Sequence, residues 1–319
     1  MSRDEFSIIQ RFFGALGAPR KHTRLAVGDD AAVLEVPAGR QLVVSTDTVI
    51  CGVHFLPDTS AADIAWKALA VNLSDMAAMA AQPAWFLLSI NLPEQNDTWL
   101  REFSMALDQV AKRHHLELIG GDTCRGELSI TMQIMGTVPT DKYVTRAGAK
   151  PGDMILVSGE LGNAAQGLKY LQGRKAAPEA LREQCIDALL RPQPRLELRP
   201  FLRDYASAAI DVSDGLQADL AHILNASNCG ACLQADKLPV NSNIAAEEAL
   251  EFALRGGDDY EICCCVDSHF EAEVELWNQQ NPDCQLSRIG EVTPSGYSLE
   301  SGGSLIDLSS LPGGYRHFD

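Results

Sequence analysis

Between residues 41 and 48 the chain is β-branched and apolar and then turns polar, which predicts a strand. Ser60-Ala61-Ala62-Asp63 has the spacing of a capping box. It opens an alanine-rich stretch, 61–81, with Trp66, Leu69, Leu73 and Met76 at helical intervals. A strand over 84–92, a helix over 97–115 and strands over 116–119 and 128–138 follow. This order predicts an α+β layer with helices on one face of a sheet. Residues 145–153 are polar and rich in turn formers, and they mark a boundary. Beyond it come a strand at 154–157, the turn Ser158-Gly159-Glu160-Leu161-Gly162 and a helix from Asn163. Such a turn can present backbone N–H groups to an anion, and it is equally a common structural connection. A strand at 208–212, a helix at 217–226 and an apolar run at 260–266 complete the pattern. That run holds Cys263-Cys264-Cys265 and reads as a buried strand.

Polar residues interrupt this pattern in a repeated way. Seven aspartates stand in short motifs beside glycine or serine: Asp29 and Asp30 in GDDAAV, Asp47 in STDT, Asp75 in NLSD, Asp122 in GGDT, and Asp211 and Asp214 in DVSDG. Most follow an apolar run, which predicts carboxylates at the ends of buried strands. A desolvated charge is costly unless it is paired or binds a metal. No matching set of Lys or Arg lies beside the motifs. One such Asp is easily explained as a cap or an Asx-turn, but five motifs are poorly explained as five separate caps. Asn72 and Asp75 are three apart and share a helix face. Mg²⁺ suits these oxygens, with Ser45 and Thr46 able to complete its shell. Several Mg²⁺ ions usually accompany a polyphosphate.

Composition narrows the classes. The 319 residues allow one large or two medium domains. The net charge of −17 argues against nucleic acid or an anionic membrane as partner. No apolar run is long enough to span a bilayer, and the first thirteen residues lack the pattern of a signal peptide. A cytoplasmic location is therefore expected. Nine cysteines in a chain of this length do not read as a disulfide framework, and Cys229/Cys232 form a lone CxxC. A Walker-type Gly-Lys-Ser/Thr element is absent, as are GxSxG and HExxH. His54, close to Asp47, is a candidate phosphate contact, although a lone His is more often structural.

Taken in order, VGDDAAV, VVSTDTVICGVHF, KALAVNLSDMAAM, LIGGDTCRG, TRAGAKPGD, AIDVSDGL, GGDDYE and GGYRHFD resemble the motifs of the thiamine-monophosphate kinase family. Its superfamily includes aminoimidazole ribonucleotide synthetase and selenophosphate synthetase. The resemblance covers nearly the whole chain. It implies two domains, 1–148 and 149–319. The first would be an α+β sheet domain that dimerises with its twin, the second an α/β domain covering the nucleotide. It implies ATP and thiamine monophosphate as substrates, thiamine diphosphate as product and several Mg²⁺ ions. By position, Asp30, Ser45, Thr46, Asp47, Asp75, Asp122, Asp211 and Asp214 are the implied metal ligands. Gly121, Asp122, Arg146 and Ser213 are the implied ATP contacts, and His54, Glu261 and Tyr315 the implied thiamine-phosphate contacts. Asp258 stands where many relatives carry Glu.

The chemistry fits the residues without the name. A phosphate monoester is mostly dianionic at neutral pH, so it is a nucleophile that needs no general base. Asp47, Asp122 and Arg146 are then expected to serve charge stabilisation and alignment, with direct in-line transfer. Rival readings are an ATP-dependent synthetase of the same superfamily, a metal-dependent phosphohydrolase, and a non-catalytic nucleotide-binding protein. The first 22 residues hold no Cys and the chain ends in Asp319, which disfavours the selenophosphate and hydrogenase-maturation relatives.

Overall fold

The computed structural model describes residues 8–174, 176–311 and 313–314. Two compact units emerge: one runs to Met76 and holds Ala81–Lys142, and the other holds Ala77–Ala80 and the chain from Tyr143 onward.

In the first unit, β1 (Thr23–Leu25) and β2 (Val33–Leu34) form a short antiparallel pair. The main sheet comprises β3 (Arg40–Ile50), β4 (Gln82–Leu92), β5 (Glu117–Arg125) and β6 (Ser129–Pro139), in the order β3-β6-β4-β5. Only β4 and β5 run parallel. Helix α1 (Ala61–Ala78) begins at Ser60, whose Oγ accepts from the Asp63 N–H at 3.1 Å and donates to the Asp63 carboxylate at 2.7 Å. Burial of Ala65, Leu69, Leu73 and Met76 on one stripe holds it in place. Helix α2 (Asp97–Arg113) is capped by Asn96, which accepts from Thr98 and Trp99 N–H.

One strand differs from expectation in a way that moves an acidic motif. Strand β3 carries Ser45-Thr46-Asp47 inside it, as expected over 41–48, and runs on to Ile50, whereas β5 does not stop at Ile119 but continues through Gly120-Gly121-Asp122 to Arg125. Asp122 therefore lies within a strand, not after it. The polar residues are tolerated because β3 is an edge strand with one exposed face and the outer half of β5 is largely solvated. Asp75 sits inside α1.

The second unit is built on a seven-stranded sheet of β7 (Met154–Ser158), β8 (Ala206–Val212), β9 (Gly230–Gln234), β10 (Glu261–Val266), β11 (Leu286–Thr293), β12 (Tyr297–Ser301) and β13 (Ser304–Asp307). Its order is β13-β12-β9-β11-β7-β10-β8, antiparallel except for β9 with β12. The cysteine-rich β10 is buried along its whole length, as its apolar run from Ile262 predicts, and the burial extends to Glu261 at its start. Between these strands run α3 (Asn163–Leu171), α4 (Glu179–Leu190), α5 (Arg199–Tyr205), α6 (Leu216–Ser227), α7 (Ala246–Arg255) and α8 (Glu271–Gln280). One core cluster joins Ile155, Val157, Ile210 and Cys263 of the sheet to Leu216, Leu220 and Ile223 of α6. That packing sets α6 directly behind the Asp211–Gly215 turn.

Candidate active site

In the first unit, a cavity of about 380 Å³ is lined by Ile9, Phe13, Val27-Gly28-Asp29-Asp30, Leu88, Leu118 and Gly120-Gly121-Asp122-Thr123. Two motifs far apart in the chain thus share one cavity, and among the described residues its lining includes no Lys or Arg. Asp29, Asp30 and Asp122 are all exposed. Gly121 is required by the sheet: a Cβ there would fall on the Leu88 carbonyl oxygen of the paired strand. Asp122 accepts from the Cys124 thiol at 3.1 Å.

A second cluster of the same unit joins β3 to α1. Ser45 Oγ donates to the Asp75 carboxylate, and Thr46 Oγ1 donates to the Met132 carbonyl at 3.0 Å. Ser45 and Asp47 lie on the half-buried face of β3, while Thr46 lies on the exposed face. The ring Nδ1 of His54 accepts from the Ile50 N–H at 3.1 Å, so the neutral ring carries its proton on Nε2 as a donor. The carbonyl of His54 accepts from Lys67 Nζ at 3.0 Å. Lys67 is only 2% exposed in α1, and sequence reasoning passed over it. A single lysine in an apolar, alanine-rich helix was the available signal.

The second unit treats its acids differently. Asp219, 3% exposed, accepts from both the Ser213 and Asp214 N–H groups at 2.9 Å and so fixes the turn that carries the DVSDG motif. Burial pushes its carboxyl up to about 7, with Asp211 and Asp214 adding repulsion and the two N–H bonds opposing. Asp211 is buried in β8, whereas Ser213 and Asp214 are half-buried. Arg146 is exposed, and its carbonyl accepts from Ser227 Oγ.

Asp259 occupies the N-terminus of α3. Its carboxylate accepts from Gly162 N–H at 2.8 Å and Ala164 N–H at 3.5 Å. The strand–turn–helix at 158–162, open to an anion in the sequence, already holds one of the chain's own. Burial raises the Asp259 carboxyl well above the usual range, and its N–H partners oppose this. Glu261, 6% exposed, is gripped by Arg195 through Nε at 2.6 Å and a second guanidinium nitrogen at 2.5 Å, and by Ser158 Oγ at 2.5 Å. Burial still raises its carboxyl, against the pull of Arg195 and Ser158. Both Glu261 oxygens therefore have partners within the unit. Asp258 adopts a left-handed backbone (φ 69°) and accepts from the Tyr260 hydroxyl at 3.1 Å. Tyr315 lies outside the described residues. Sequence reasoning missed Asp219 and Arg195, because a lone acid within a helix and a lone base after a proline-rich turn carry no pattern.

Among the described residues, no three His, Cys, Asp or Glu side chains form a ready-made metal centre. Mg²⁺ dehydrates reluctantly and is usually held by one or two carboxylates together with water and substrate phosphates. Exposed oxygen donors on a cavity with no basic side chain among its described lining residues fit an ion that arrives with a phosphate ligand. They do not fit a fully caged resident ion.

Known proteins resemble this chain throughout. Residues 28–138 match the AIR synthase related protein, N-terminal domain, and residues 150–300 match the corresponding C-terminal domain. A thiamine-monophosphate kinase of Escherichia coli (strain K12) is 47% identical over 271 residues, covering 83% of each chain. The crystal structure of a thiamine-monophosphate kinase from Stenotrophomonas maltophilia K279a is 42% identical, with a TM-score of 0.83 over 89% of this chain and 93% of that one. The AaThiL structure, complexed with AMPPCP and TMP, is 29% identical, with a TM-score of 0.76 over 98% of this chain and 96% of that one. Among the described residues no helix is long and apolar enough to cross a membrane.

Proposed function

Because this chain belongs to the thiamine-monophosphate kinase family of AIR synthase related proteins, we propose that it transfers the γ-phosphoryl group of ATP to thiamine monophosphate, forming ADP and thiamine diphosphate. The nature of the acceptor is taken from the relatives. This chain's own support for polyphosphate chemistry is one observation: the cavity lined by Asp29, Asp30, Gly121 and Asp122, with no basic side chain among the described residues of its lining.

A phosphate oxygen of the acceptor attacks the γ-phosphorus in line and the bond to the ADP oxygen breaks, with no phosphoenzyme. The acceptor is already dianionic, so no side chain has to remove a proton. In the first unit Asp30, Ser45, Thr46, Asp47, Asp75 and Asp122 are the proposed Mg²⁺ ligands, and Gly121 admits the nucleotide. In the second unit Asp211 and Asp214 are proposed ligands, while Arg146 and Ser213 are proposed ATP contacts. Mg²⁺ supplies neutralisation of phosphate charge when bound. His54 is the proposed phosphate donor through Nε2. Glu261 and Tyr315 are the proposed contacts to the rest of the acceptor, with Glu261 oriented by Arg195. Leu42, Val44 and Ile50 are exposed on the edge strand β3 and support pairing with a second copy. A supply of ATP supports a cytoplasmic setting.

Incubation with Mg-ATP and thiamine monophosphate, followed by chromatography of all products, tests this. Equal amounts of ADP and thiamine diphosphate, abolished by EDTA, are expected. ADP with free phosphate and no thiamine diphosphate would overturn the reading in favour of a hydrolase or synthetase.

A further inference from the structure

Gln217 stands in the first turn of α6, two residues after the Asp214-Gly215 step, and is 3% exposed. A buried amide has to satisfy its donor and its acceptor, and what satisfies this one is unusual. Its Nε2 donates to the Leu308 carbonyl at 2.9 Å and, at 3.4 Å, to the Leu311 carbonyl. Its Oε1 accepts from Arg255 Nε at 3.3 Å. Its backbone carbonyl accepts from the Tyr297 hydroxyl at 3.2 Å. One residue thus ties the start of α6 to the segment after β13, to β12, and to the arginine that immediately precedes Gly256-Gly257-Asp258-Asp259.

The Arg255–Asp258 segment and Gly314 close on the Asp214 turn. A Cβ on Gly215 (φ 106°) would meet the Arg255 Cα at 2.9 Å. A Cβ on Gly314 would fall on the Asp214 carbonyl oxygen. The Ser213 carbonyl accepts from Asp258 N–H at 2.8 Å. The turn therefore has Asp219 beneath it, the Arg255–Asp258 segment on one flank and Gly314 on another. Gln217 hydrogen-bonds Arg255 at the start of the first flank and the Leu308 and Leu311 carbonyls, which precede Gly314 in the chain.

We propose that Gln217 is a positioning residue: by clamping Leu308, Leu311 and Arg255 together, it holds Ser213 and Asp214 in the orientation their ligands require. The proposal rests on the reading that Asp214 holds Mg²⁺ and Ser213 contacts the nucleotide. A buried amide serving only packing would contribute stability without governing the turn.

Hydrogen–deuterium exchange on the full chain separates the two. Gln217→Leu removes both halves of the clamp. Gln217→Glu keeps length and the Arg255 contact but loses the donor to Leu308 and Leu311. In each variant the peptides covering 208–215 and 304–311 should exchange about tenfold faster, while those from β7 and β11 keep their wild-type rates. The Mg²⁺ concentration giving half-maximal activity should rise about fivefold or more, with kcat at saturating Mg²⁺ within roughly threefold of wild type. Faster exchange at 304–311 with an unchanged 208–215 would overturn the proposal, leaving Gln217 a tail anchor. Unchanged exchange in both peptides would also overturn it. Should Gln217→Leu not fold, Gln217→Glu decides by the same readout. A wild-type protein that makes no thiamine diphosphate would defeat the kinase reading alone, and the exchange experiment would still decide the coupling.

Discussion

The acidic residues of the two units live under opposite conditions. In the first unit Asp29, Asp30 and Asp122 are exposed around a cavity, and they are hydrated until something enters it. In the second unit Asp219 and Glu261 are buried, and Asp259 is folded into a helix N-terminus, each engaged by the chain's own N–H groups, guanidinium or hydroxyl. The same residue type therefore serves two ends. A hydrated carboxylate is available to an incoming cation at little desolvation cost. A buried, hydrogen-bonded one has already lost its water and is committed to holding backbone in place. Acid count alone does not locate chemistry; solvent access separates the acids open to a cation at little desolvation cost from those already held by the chain's own donors.

The largest effect should come from breaking the buried pair. Arg195→Met would leave Glu261 uncompensated and is expected to cost roughly 3–5 kcal/mol, read by denaturant unfolding. A loss below about 1 kcal/mol would mean that Glu261 is less committed than its contacts indicate.

A second test uses pH. The Asp219 carboxyl stands at about 7 in the folded chain, above its ordinary 3.8. Between these values the folded state binds the extra proton, so the contribution is fully present below about 4 and lost as pH rises through about 7. Asp219→Asn removes this dependence. Measured in EDTA, its stability relative to wild type should improve by roughly 2–4 kcal/mol from pH 4 to pH 8. A difference flat with pH would show that the buried charge is relieved in some other way.

The exposed set should behave in reverse. Asp122→Asn is expected to lower kcat/KM by about 100-fold while leaving unfolding free energy within about 0.5 kcal/mol. If stability fell and activity held, the division between hydrated and committed acids would fail for this residue.

Local pattern carried far into the fold. The Ser60 capping box, the buried Cys263-Cys264-Cys265 strand and the helices after Ser60 and Asn96 are short-range features, and periodicity and capping reveal them. The strand ends were less legible. Gly120-Gly121-Asp122 reads as the end of a strand, yet on a solvated strand end these residues pair as well as apolar residues do. The acids of GDDAAV and GGDT were legible as unusual, and the structure brings both motifs to one cavity. Arg195, Gln217 and Asp219 were not legible, and Lys67 left only the faint signal of a lone lysine in an apolar helix. Each is a single polar residue whose meaning comes from a partner distant in the chain or in a different element.

By itself, then, the sequence determined the element types, the oxygen-rich character of the motifs and the family. All of these reside in residue identity and short spacing. Only the tertiary structure decided which carboxylates keep their water and which surrender it. Desolvation depends on every group packed around a side chain, and those groups come from positions up to about a hundred residues away, as Ser158 and Glu261 do. It likewise decided that the inviting helix N-terminus at Gly162 is filled from within, by an aspartate carried on another strand's approach.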